Sequence, residues 1–192
     1  MAGPDPARTH SFAIPEAWAG WLARQGASEP EIWLKLYRKD SAIPSLTWEQ
    51  AVIEALAWGW IDGVKRSVDA VSWLQRFTPR RAQSGWSQRN RDHVERLIAA
   101  GRMQDPGLAQ VAAAKADGRW EAAYAGKDFV VPADFLAGLA AASVPARTHF
   151  AGLNRKNQFA IYYRLTTAKR ALTRTKRIAE FVAMMERGER FY

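Results

Sequence analysis

Two runs of residues, Trp60 to Arg66 and Val71 to Thr78, constrain this chain more than anything else in it. Both are rich in β-branched and aromatic residues and too short for helices, so they predict two strands joined across Ser67 to Ala70. Pro79 ends the second strand, because its nitrogen has no proton to give to a ladder. By period-two alternation Trp60, Asp62, Val64 and Arg66 share one face of the first strand, and Val71, Trp73, Gln75 and Phe77 share one face of the second. An isolated hairpin is marginal in water, so more strands or a helical backing must come from elsewhere in the chain.

Both are found upstream. Glu31 to Lys39 alternates Ile32, Leu34 and Leu36 against Trp33, Lys35 and Tyr37, the pattern of a half-buried strand. From Pro15, PEAWAGWLARQG places Trp18, Trp21 and Leu22 at i, i+3, i+4, with Pro in the first turn and Gly26 past the end, which predicts a short amphipathic helix. Thr47 with Gln50 three residues on is a capping box, and Trp48, Ala51, Val52, Ala55 and Leu56 line one face of the helix it opens. Gly59 fits the left-handed position after that helix. Residues 1 to 11 lack an apolar period and are expected to be a disordered lead-in.

After the loop PRRAQSGW every periodic segment is helical. Ser87 caps a helix to about Ala100, and Asp105 with Pro106 opens another that runs to Gly118. Periodicity drops between Trp120 and Val131, around Gly126, and all nine Trp lie at or before Trp120, which marks a boundary. Beyond it, helices are predicted at Pro132 to Ala142, Pro145 to Gly152, Arg155 to Thr167 and Ala171 to Arg187. The expectation is an α+β chain in three parts: the lead-in 1–11, an α+β domain 12–125, and a helical module 126–192. The domain holds a small antiparallel sheet of about three or more strands packed with helices, and the module is all-helical.

The formal charge of +9 predicts attraction to polyanions, whether nucleic acid, anionic lipid or an acidic protein surface. The absence of cysteine removes disulfides, thiolate chemistry and Cys-based metal sites. His10, His93 and His149 are far apart, with no HExxH, so no metal site is expected, and His93 falls on the polar side of its helix, where it would be solvated. No GxSxG, GxxxxGK[ST] or GxGxxG occurs, so no catalytic residues and no cofactor are assigned. No segment approaches eighteen consecutive apolar residues, and the first residues do not read as a secretory signal, so a cytoplasmic protein is expected.

Two places could bind a partner. The first is a cleft in which Trp60 and Asp62 look toward Arg76 or Arg80, Ser84, Trp86 and Asn90, an aromatic wall with a carboxylate and guanidinium groups. The bland reading keeps Trp60, Trp73 and Phe77 as core, pairs Asp62 with an Arg, and makes Ser84 or Ser87 a cap. The second is a basic face: Arg147, Arg155, Lys156, Arg164, Lys169, Arg170, Arg174, Lys176 and Arg177 follow one another with no Asp or Glu between Arg147 and Arg177. With Tyr162, Tyr163, Asn154 and Asn157 nearby it could hold phosphates and stack a ring. Its bland reading is a solvated cationic face, since Arg170, Arg174 and Arg177 follow the outer side of a helix and no nucleic-acid-binding motif accompanies them.

The segments LTWEQAVIEALAWGWIDG, RFTPRRAQSGWSQRN, the GRM at Gly101 to Met103, AKADGRW and TAKRALTRTKRIAEFVAMMERGE resemble the YdeI/OmpD-associated proteins of bacteria, from about Phe12 onward. The resemblance implies an N-terminal part similar to YjbR/CyaY-like and DUF1801-like α+β domains, followed by the helical module named for OmpD association. It also implies links to bacteriocin protection, cationic-peptide resistance and a porin partner, with no catalytic residues known. A non-enzymatic binding or stress-protection protein for an anionic or aromatic ligand or a protein partner is therefore expected. The alternatives are a small enzyme around Asp62, Arg80, Ser84 and Asn90, and a nucleic-acid-binding protein using the C-terminal basic helices.

Overall fold

The structure is a computed structural model that describes residues 4–126 and 128–192. Residues 1–3 of the expected lead-in lie outside the described residues. The chain forms two compact units, one running to Ala123 and the other from Tyr124 to Tyr192.

In the first unit the order is β1 (Thr9–His10), α1 (Pro15–Gln25), β2 (Ile32–Tyr37), α2 (Trp48–Ala57), β3 (Trp60–Ser67), β4 (Ser72–Pro79), α3 (Gln88–Ala99) and α4 (Asp105–Ala116). The strands lie in the order β1-β2-β4-β3. The pairs β2–β4 and β3–β4 are antiparallel, as the hairpin runs require, and β1 adds a parallel edge through Thr9 opposite Trp33 and His10 opposite Leu34. The fold is α+β with a mixed sheet.

That edge corrects the expected lead-in. Asp5 Oδ1 accepts from Ala7 N at 2.9 Å and caps a 3-10 turn over Pro6–Arg8, which delivers Thr9 and His10 to the sheet. The anchor escapes a periodicity argument because it uses main-chain bonds and the two rings of His10 and Phe12, packed toward Trp21 and Trp18.

The strand β3 departs from simple alternation. Asp62 opposes Phe77 and Lys65 opposes Gln75, so an extra residue is accommodated between Asp62 and Lys65 as a bulge. The buried Gln75 donates Nε2 to Gly63 O at 2.9 Å and satisfies the carbonyl the bulge leaves out of the ladder. The expected face of Trp60, Asp62, Val64 and Arg66 is therefore broken after Asp62. Lys65 sits over the Trp73 ring at 4.5 Å, whereas Arg66 goes to the opposite side and covers Trp33 at 5.5 Å.

The core is built from rings. Trp18 and Trp21 of α1 stack at 5.3 Å, Trp18 meets Phe77 at 5.7 Å, and Trp21 meets Trp60 edge-on at 5.8 Å. Ile32, Leu34 and Leu36 of β2 and Ala51, Val52, Ala55 and Leu56 of α2 close around them. The Trp18 indole donates to Ala51 O at 3.0 Å, so its one polar atom is satisfied inside the core. The helix α2 is the hub, packed with α1, β3, α3 and α4. Its end meets the start of α4 so closely that two glycines are required there. Gly59 has φ of +75°, and a Cβ on Gly107 would lie 2.2 Å from Ala57 O.

The second unit consists of α5 (Ala133–Ala140), α6 (Val144–Ala151), α7 (Arg155–Thr166) and α8 (Ala171–Glu186). Ser143 caps α6 and Asn154 caps α7, each through its side-chain oxygen. Phe135, Leu139, Ala146, Ile161, Leu165, Phe181 and Met185 form its core. After α8 the chain returns along α7: Phe191 N and Tyr192 N both donate to Oδ1 of the buried Asn157, at 2.9 and 3.1 Å.

Candidate functional site

The hairpin, α2 and the start of α3 bring a run of polar side chains together. Trp48 Nε1 donates to Asp62 Oδ2 at 3.3 Å. The Arg89 guanidinium lies over the Trp48 ring at 4.9 Å and pairs with Glu49 Oε1 at 2.9 Å. Glu49 Oε1 is in turn 3.4 Å from His93 Nε2, without forming a hydrogen bond to it. Burial raises the Asp62 carboxyl above its ordinary value, against the Trp48 bond and the charges of Arg80 and Arg89. The Glu49 carboxyl is held below its ordinary value, first by the hydrogen bond from Arg89.

His93 is 4% exposed, not solvated as its place in the sequence suggests. Its helix packs on α2, and the ring is turned toward Glu49. The Nδ1 atom lies 2.9 Å from Arg96 NH2, and since a guanidinium only donates, Nδ1 accepts and the ring proton sits on Nε2. Burial first, then Arg96, pushes the imidazole below its ordinary value of 6.5, with Glu49 and Asp92 pulling the other way and Arg89 adding to the fall. The unfolded chain then takes up a proton at a higher pH than the folded one. The stability that His93 contributes is complete above pH 6.5 and drains away as the pH falls from there toward the folded-state value. Urea midpoints between pH 7 and pH 5 should fall more for the protein than for a His93→Gln variant; parallel curves would show that His93 is not buried neutral.

The other residues expected in the cleft go to separate tasks. Trp60 is core and donates Nε1 to Gly26 O at 3.2 Å. Arg76 lies opposite Trp33 and bonds Glu31 through Nε at 2.7 Å, on the sheet face away from Asp62. Arg80 is buried, stacks on Trp86 at 3.7 Å and donates NH2 to Gly85 O at 2.6 Å. Trp86 packs edge-on against Trp120 at 4.9 Å. Ser84 Oγ accepts from Arg81 N at 3.0 Å within its own turn, and Asn90 N donates to the Ser87 cap at 3.1 Å. Asp62 and Arg80 influence one another; Arg76 and Ser84 are engaged elsewhere.

Much of the expected basic face is joinery. Arg174 forms a two-bond pair with Asp134, at 2.7 and 2.8 Å, and donates NH1 to Leu165 O at 2.7 Å. Arg177 donates NH1 to Arg164 O. Leu165 and Arg164 belong to the last turn of α7, whose carbonyls lack helical partners and carry the negative end of the dipole. Arg174 and Arg177 are therefore half-buried braces rather than residues of an outer face. Arg155 stacks on Phe129 at 3.7 Å, Lys156 sits over Tyr192 at 3.9 Å, and Arg164 sits over Phe191 at 4.2 Å. Lys169, Arg170 and Lys176 remain exposed at the start of α8.

Sequence reasoning passed over a cavity of about 670 Å³ among α1, α2 and the α3–α4 connection. Glu16, Ile53, Glu54, Trp58 and Arg102 line it, and Arg102 pairs with Glu54. The available signal was Glu54 itself, a lone carboxylate inside the apolar run from Ala51 to Ala57. Among the described residues no group of three or more His, Asp or Glu could hold a metal, and no helix is long and apolar enough to cross a membrane.

No curated protein and no solved structure matches the chain. Two families do. Residues 10–110, where the resemblance implies a YjbR/CyaY-like or DUF1801-like part, match a domain of unknown function, DUF8412. Residues 128–188, which hold the helical unit and its braces, match the family described as Bacteriocin-protection, YdeI or OmpD-Associated. The chain belongs to the DUF8412 family through its sheet-bearing unit and carries a YdeI/OmpD-associated module behind it.

Proposed function

We propose that the protein is a non-enzymatic binding protein of the stress-protection type, whose helical unit recognises an anionic partner. The observation that carries this reading is the exposure of Lys169, Arg170 and Lys176 together, in a stretch from Arg147 to Arg177 that holds nine cations and no acid. Exposed cations close in sequence, with no acid among them, add their fields and raise the local concentration of an anion. The stress-protection part rests on the description of the family matched by residues 128–188. A binding role is favoured over an enzyme around Asp62, Arg80, Ser84 and Asn90 because the Ser84 hydroxyl is engaged in its own turn and Asp62 is bonded to Trp48.

The test uses Arg170→Glu with Lys176→Glu, and leaves Arg174 and Arg177 alone because they brace α7. A random single-stranded oligonucleotide serves as the polyanion. Removing two phosphate contacts should weaken binding at least about tenfold at low salt and flatten the log–log salt slope by about 1.4. Unchanged affinity and slope would sink the reading. A large preference for one sequence over random competitor would instead favour the nucleic-acid alternative.

A further inference from the structure

The cavity among α1, α2 and the α3–α4 connection runs against the overall charge of the protein. Its lining holds two carboxylates, Glu16 and Glu54, and one cation, Arg102, in a protein of formal charge +9. Glu54 lies on the face of α2 turned toward the cavity, with a side chain only 10% exposed, while that of Arg102 is 52% exposed. A carboxylate so buried requires a cation or several N–H donors. Here the cation is supplied from solvent by a long side chain that loses rotamer freedom when it is held there.

The surroundings of Glu54 suit more than one guanidinium. Ile53, Ala57 and the half-buried Trp58 give an apolar wall beside the carboxylate, and an indole face attracts a cation laid over it. Gln50 and Gln104 add neutral polar groups at the edge, and Glu16 adds a second negative charge. Arg102 is the first residue after Gly101, whose φ of +65° ends α3, so its side chain is attached to a turn and not to a helix. Cavities of this size hold small ligands, with a few polar groups fixing orientation.

We propose that this cavity binds a small organic cation, a guanidinium or primary ammonium on a short apolar stem, which displaces Arg102 from Glu54. Arg102 is a built-in stand-in for that ligand. The exchange replaces one ion pair with another, so Glu54 is never left buried and unpaired, and the stem of the ligand covers Ile53 and Trp58. Arg102 returns to solvent, where its charge is hydrated. The site is separate from the anion-binding surface in sequence and in charge preference, so either can fail without the other.

Butylguanidinium chloride is the probe, with sodium chloride at equal ionic strength and butanol as controls. Titration calorimetry on the protein should show saturable binding that Glu54→Gln abolishes. Arg102→Ala removes the competitor and should bind the probe at least tenfold more tightly than the parent. Its thermal midpoint, lowered by the unpaired carboxylate, should be restored by millimolar probe and by neither control. Absence of saturable binding to the parent and to Arg102→Ala, or equal binding to Glu54→Gln, overturns the proposal. If Arg102→Ala does not fold, the parent and the near-isosteric Glu54→Gln decide it alone.

Discussion

Replacing Gly107 with alanine should lower the stability of the first unit by about 3 kcal/mol, even though alanine is the better helix former by about 1 kcal/mol. The sign follows from one distance. A Cβ at that position would lie 2.2 Å from Ala57 O and 2.9 Å from Ala57 C, and both are main-chain atoms that no rotamer can move aside. The Ala57 carbonyl also accepts from Gln104 N at 3.0 Å, so pushing the chains apart breaks the bond that joins the end of α2 to the start of α4. Gly59, across the same junction, faces Pro106 O at 2.9 Å from its own ideal Cβ, so neither chain has slack. Urea unfolding followed by tryptophan fluorescence reads this unit alone, because all nine Trp lie at or before Trp120. A Gly107→Ala variant as stable as its parent would mean that α2 and α4 do not meet as described.

In the second unit the largest effect is expected from Asn157→Ala, a loss of about 2 kcal/mol with release of the C-terminal residues. Asn157 is 1% exposed, and its amide is nearly fully used. Its oxygen accepts from Phe191 N and Tyr192 N, and its nitrogen donates to Asn154 Oδ1 at 3.0 Å. Truncation leaves two main-chain donors without an acceptor and loosens the Phe191 ring from Phe181, which it meets edge-on at 5.3 Å. Amide exchange at residues 191 and 192 should become fast in the alanine variant. In Asn157→Asp it should stay slower, since the aspartate keeps the acceptor for Phe191 N and Tyr192 N and loses only the donations to Asn154 Oδ1 and, at 3.4 Å, to Tyr192 O. Equal protection in all three proteins would refute the anchoring role.

What could be read from the sequence was what local chemistry decides. Thr47 and Gln50 announced their capping box, and it forms, with Gln50 N donating to Thr47 Oγ1 at 3.2 Å and Thr47 N donating to Gln50 Oε1 at 2.9 Å. The α+β class, the hairpin and the helical second unit follow from periodicity and from Pro and Gly at the ends. Whatever depends on a distant partner was not legible. Glu54 and Arg102 are 48 positions apart, and nothing near either residue names the other. His93 has polar neighbours in sequence, and only the packing of α3 on α2 buries it. The cations of α8 looked like a free surface because a helix does not reveal which carbonyls its arginines will reach; Arg174 and Arg177 close the end of α7. The bulge had a local sign, Gly63 inside a strand, yet its extra residue changes the side of every residue after it.

That bulge has a bearing on how the protein behaves in a crowd of its own copies. The strand β3 is an edge of the sheet, with β4 on one side only. A flat edge offers unpaired donors and acceptors at regular spacing, a template on which a second molecule can add a strand and begin to aggregate. The irregularity between Asp62 and Lys65 spoils that spacing. The exposed side chains of Lys65 and Val64 beside it further obstruct a flat approach. A feature that confuses the reading of faces from sequence thus makes the open side of the sheet a poor seed for fibre growth.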